Sequence, residues 1–129
     1  MGFNEATRHK IIDTVLRGTS LFVAGDAVSH ISLHTADPGE TGASEVAGGS
    51  YARQAITWTA PVAGESENDA DLEWANFPDI TPDQVTHVGL WDDVAAGNFR
   101  GGGAFTSPLD PGAGDTVRVA AGALTMELT

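Results

Sequence analysis

Apolar and polar residues alternate with two different periods along this chain of 129 residues. Over residues 4–17 the period is helical. Ile11 and Val15, and Ile12 and Leu16, stand four apart and make one apolar stripe. Asn4 has the chemistry of an N-cap, Glu5 complements the dipole in the first turn, and Gly18 follows Arg17 as a natural terminator. The stripe is narrow, so this helix is expected to lie against a sheet or a neighbouring subunit.

From residue 28 onward the period falls to two. Ile31 and Leu33 oppose His30, Ser32 and His34; Leu72 and Trp74 oppose Asp71 and Glu73; Val88 and Leu90 oppose His87 and Trp91. Ile56 and Trp58 share a face, as do Val117 and Val119, and Leu124, Met126 and Leu128. Turn chemistry separates these runs: DPGETG, AGGS, AGESEND, FPDITPD, AAGN and SPLDPGAGD, in which proline presets φ and glycine takes positive φ. The expected fold is mainly β: an antiparallel β-sandwich or jelly-roll-like domain with one N-terminal amphipathic α-helix. No linker divides the chain, so a single domain over 1–129 is expected, with the helix at 4–17 and the sandwich at 28–129. Three consecutive glycines in FRGGGAF weaken a strand unless a bulge or a close backbone approach requires them.

Charge narrows the function. Eighteen acidic residues face six basic ones, a formal net charge of −12. Such a surface repels phosphate backbones and anionic lipid, so neither nucleic-acid binding nor membrane docking is expected. Scarce lysine and abundant acid suit a protein working in high salt, where screening suppresses self-repulsion. No apolar run approaches the ~20 residues that span a bilayer, and charges interrupt any signal-like segment near the start. Cysteine is absent, which removes disulfides, thiolate metal sites and cysteine nucleophiles.

The candidate chemistry is sparse. His30 and His34 share a strand face but stand about 13 Å apart at ~3.3 Å per residue, too far for one metal; His87 could approach either. The acidic stretch ESENDADLE lacks the glycine and terminal glutamate of a calcium loop and reads as solvated. There is no GxSxG elbow and no distinguishable carboxylate pair, so no catalytic residue and no cofactor is assigned. Arg53, one of five arginines in an acidic chain, is expected to brace a long loop by forked bonds to carboxylates such as Asp37 or Glu45. Among the tryptophans, Trp58 and Trp74 share faces with apolar residues. Trp91 shares its face with His87, and these two are the candidate surface contacts.

ISLHTADPGETGASEVAGGSYARQAITW, then VTHVGLWD, then GNFRGGGAFTSPLDPGAGDTVRVAAGALTMEL, resembles a family of small virion proteins of tailed bacteriophages and archaeal tailed viruses, described as tail-fibre or minor-tail proteins. The likeness runs from Ile31 to Leu128, and His34, Asp37, Pro38, Gly39, Glu45, Tyr51, Arg53, Gly89, Asp92, Gly114 and Asp115 fall at its recurrent positions. It implies a non-enzymatic structural subunit of the virion, assembled in the host cytoplasm. The implied partners are other virion proteins, further copies of itself as a homo-oligomer, and a host-surface glycan or protein. Two placements follow, a tail fibre or minor-tail component and a capsid-decorating turret subunit. The alternative is a lectin-like module that reads host glycans through exposed indoles. The acidity departs from a typical bacteriophage member and points to a virus of a salt-loving host.

Overall fold

The computed structural model describes residues 1–19 and 22–128. A two-residue strand, β1 (Gly2–Phe3), leads into helix α1 (Glu5–Ile12). Asn4 caps α1: its side chain accepts from the Thr7 backbone N–H at 3.0 Å. The expected helix does not run unchanged to residue 17. Residues Asp13–Arg17 continue it as one wider π-type turn, ended by Gly18 in the left-handed conformation. Thr14 bonds back to the Lys10 carbonyl at 2.8 Å and Val15 is β-branched, and both loosen regular α-winding here.

Eight further strands follow: β2 (His30–His34), β3 (Gln54–Ala55), β4 (Glu65–Glu67), β5 (Leu72–Trp74), β6 (Val85–Trp91), β7 (Phe99–Leu109), β8 (Val117–Val119) and β9 (Thr125–Glu127). One five-stranded sheet has the order β1-β7-β6-β2-β3, and β4-β9 and β5-β8 form two ribbons. Every pairing is antiparallel. The fold is therefore mainly antiparallel β with a single N-terminal helix, as the periodicity predicts. Ile31, Leu33, Val88 and Leu90 of the sheet join Leu72, Trp74, Val117, Val119 and Met126 of the ribbons in one buried cluster. Sheet and ribbons thus share one core.

Three strands lie outside the periodic runs, β1, β4 and β7. The turn-like AGESEND contains β4, which has no apolar residue and is a strand only through its pairing with β9. The glycine run has a specific cause. At Gly101, φ is +149° and an added Cβ would lie 2.0 Å from the Gly2 carbonyl oxygen, so glycine admits β1 alongside β7. Asn4 completes this seam, its side-chain amide donating to the Phe99 carbonyl at 2.7 Å.

Candidate functional site

The polar face of β2 and β6 is the first surprise. Alternation predicts that it meets water, yet Ser32 and His34 are wholly buried and Trp91 is only 8% exposed. The segment between β2 and β3 folds over it. The Val46 N–H bonds the Leu33 carbonyl at 2.9 Å, and Glu45 bridges His34 in strand fashion. Beneath this cover the side chains form a relay. The Trp91 indole N–H donates to Ser32 Oγ at 2.8 Å, and Ser32 Oγ contacts His34 Nε2 at 2.6 Å. His34 Nδ1 lies 2.7 Å from the Ala43 carbonyl, which can only accept. The proton therefore sits on Nδ1, Nε2 accepts from the serine hydroxyl, and the imidazole is neutral. Burial pushes the His34 pKa down, against the opposing pull of the Ala43 carbonyl and Glu45. Gly89 stands opposite Ser32, and a Cβ there would lie 2.4 Å from Ser32 Oγ.

Arg53 closes this second core. Its Nε and a terminal nitrogen fork onto both oxygens of Glu45, each at 2.9 Å. The other terminal nitrogen donates to the Asp93 and Ala96 carbonyls at 3.2 and 2.8 Å. The guanidinium plane rests 3.5 Å from the centroid of the Trp91 ring. Tyr51 adds its hydroxyl, which accepts from the Leu33 N–H and donates to Glu45 Oε1. Burial raises the Tyr51 pKa far above its ordinary value. The surface role expected of Trp91 is overturned: its indole is covered by Arg53 on one side and bonded to Ser32 within. Ser32 was not singled out by the sequence, because the bond joins residues 59 positions apart.

Asp37 stands outside this brace. It is exposed, and its carboxylate accepts from the Gly39 N–H at 2.8 Å in a local turn. His87 is half-buried opposite His34 in the register, with Nδ1 2.8 Å from Thr86 Oγ1. Asp37, Glu40 and His87 line one groove of about 410 Å³, floored by the glycines of β7. Among the described residues no three histidine or carboxylate side chains gather closely enough to hold a metal.

The acidic stretch has divided loyalties. Asp71 and Glu73 meet Arg118, and Asp69 accepts from Thr57. The Arg118 bond, first among several causes, holds the Asp71 carboxyl below the ordinary range. Asn68 is interior, with its amide bonded to the Ala70 and Ala120 carbonyls and its oxygen to the Leu124 N–H. Among the described residues no cation meets Glu65 or Glu67, which are exposed. A separate chain of charges runs from Lys10 to Asp26 (2.7 Å), Arg100 (3.2 Å) and Asp92 (2.7 Å), tying α1 to β7 and the β6–β7 turn.

The surface is also apolar in places. Ile12, Val15 and Leu16 are 51%, 75% and 77% exposed, so within the chain the helix stripe is not covered by the sheet. No helix among the described residues is long and apolar enough to cross a membrane. Comparison with curated proteins yields no match. A family profile, that of the podophage GP4 fiber I protein gp80, matches residues 2–127, which takes in α1, both ribbons and the whole of the second core. Over that span, nearly its full length, the chain belongs to the family of the podophage GP4 fibre I protein gp80, a family of structural phage fibre proteins and hence of virion components.

Proposed function

We propose that the chain works as one domain, in an oligomeric fibre subunit displayed on the virion, touching other virion proteins and further copies of itself and taking part in host attachment. The family supports the structural fibre role and favours the tail over a capsid turret. The observation that carries the oligomer is the uncovered aliphatic stripe Ile12, Val15 and Leu16, which a lone subunit would leave in water. The acid excess supports work in concentrated salt. The glycan reading loses its aromatic platform, since Trp74 and Trp91 are buried and Trp58 is half-buried with its N–H on the Val28 carbonyl.

Light scattering on the purified chain, together with counting its copies in virions by mass spectrometry, tests this. A mass above the monomer and a handful of copies per particle is the expected outcome. A stable monomer absent from purified virions overturns it, and many copies per particle would move the subunit to the capsid.

A further inference from the structure

Among the described residues, every large apolar side chain left exposed except Val94 falls in two places. One is α1 with the segment after it: Ile12, Val15, Leu16 and Val23, with Phe22 at the margin. The other is the tip of the β4-β9 ribbon, where Val62 is 74% and Leu128 is 62% exposed. An apolar cleft of about 420 Å³ lies between helix and ribbon, lined by Thr7, Ile11 and Val23 on one side and by Ser66 and Met126 on the other, whereas Val62 lines a separate groove with Glu65, Glu67 and Thr125. Two polar atoms of side chains lining this cleft, Thr7 Oγ1 and Arg100 Nε, are buried without a hydrogen-bond partner.

Charge divides between the start of the chain and the rest, and the ribbon's glutamates project from the face opposite Ser66 and Met126. Residues 1–19 carry three basic and two acidic side chains; residues 20–129 carry three basic and sixteen acidic. On the ribbon, Glu65 and Glu127 are direct cross-strand partners, with Glu67 two positions along. Like charges facing each other in this way destabilise a ribbon unless a cation lies between them. No ion pair from the described residues reaches any of the three, while the chain's other arginines Arg17, Arg53, Arg100 and Arg118 all hold carboxylates. Arg8, exposed on α1, holds none; its guanidinium meets only the Phe3 carbonyl.

We propose an interface between copies of the chain, in which α1 of one copy lies on the glutamate-bearing face of the β4-β9 ribbon of another. Aliphatic side chains of the helix would meet Val62, and Arg8 would be brought to Glu65 and Glu127. Helix and ribbon are different patches, so each copy can lend its helix to one neighbour and receive another's on its ribbon. The inference rests on the oligomeric reading above and specifies its surface.

The test is sedimentation velocity on the full chain, with circular dichroism to establish folding. Val15→Asp and Leu16→Asp change side chains already in water, so the monomer folds. Each is expected to weaken association by roughly tenfold or more, the loss that follows one buried aliphatic side chain. Arg8→Glu is expected to weaken it as well, and combining Arg8→Glu with Glu65→Lys and Glu127→Lys to restore it. If the wild type is a multimer and these variants leave its mass unchanged, the surface is wrong while the oligomeric reading stands. If the wild type is a monomer at all concentrations, both fall.

Discussion

The Arg53 hub and the β4-β9 ribbon treat charge in opposite ways. At the hub a carboxylate and a guanidinium leave water together. Glu45 receives both arms of the fork and the Tyr51 hydroxyl, and the remaining arginine donors find carbonyls. On the ribbon two glutamates face each other across paired strands with no cation from the described residues. Nearly complete hydrogen bonding inside makes a charged pair a determinant of the fold, whereas uncompensated charge outside works against it. The contrast separates residues that hold the chain together from residues available to something beyond it.

Four measurements would break or sharpen that contrast. The largest effect is expected from Arg53→Ala, which strands a largely buried carboxylate and uncovers Trp91. Urea unfolding should show a loss of about 3 kcal/mol, and Arg53→Lys should recover only part of it because an ammonium cannot fork. A loss below about 1 kcal/mol would mean that the hub merely decorates the loop. Next is Gly89→Ala, which drives a methyl into Ser32 and His34; overpacking of this kind costs roughly 1–3 kcal/mol in the same assay.

The third is a pH dependence. His34 is held neutral, with a folded pKa below its ordinary 6.5. As pH falls the unfolded chain takes up this proton first, so the stabilisation is full above about 6.5 and drains as pH drops toward the folded value. Denaturation midpoints should therefore decline on acidification before the carboxylate range near 3.8 is reached, where Asp92 begins to contribute in the same direction. His34→Gln should flatten the first decline, and an unchanged profile would remove the histidine from the account. The smallest effect has the opposite sign to the first. Glu127→Gln should stabilise the chain by a few tenths of a kcal/mol up to about 1 kcal/mol, by ending the repulsion with Glu65. Molar salt should raise the wild-type midpoint and shrink that gain. A midpoint flat in salt would defeat the high-salt reading.

What the sequence disclosed, and what it withheld, follows the range of the forces involved. The Asn4 cap and the Gly18 stop are local, and both stand where the residues indicate. Strands with one apolar face, such as β2, β5, β6 and β8, are legible for the same reason. Strand β4 is not, since its three polar residues acquire their conformation only from β9 some sixty residues away. Nor does alternation reveal what lies over a polar face. Ser32, His34 and Trp91 look solvent-facing until the cover above them is in place. A lone arginine after Tyr51 in an acidic chain did point to the brace, and Glu45 is its partner. Asp37 is not, because its own turn already occupies its carboxylate. The helix stripe is legible as a surface in need of cover, but the facing glutamates of the β4-β9 ribbon are not.

One detail of the hub reaches beyond stability. Arg53 grips the turn between β6 and β7 through the carbonyls of Asp93 and Ala96, not through their side chains. The anchor is thus indifferent to the side chains of Val94 and Ala95, whereas Ala96 at φ +52° and Asp93, which accepts from the Val94 N–H, shape the turn itself; Val94 is half in solvent. A turn held by its backbone can exchange its side chains generation after generation and keep its shape. On a protein of the phage fibre family this makes Val94 and Ala95 a natural place for surface chemistry to diversify, and a ready site for randomised residues in a display library.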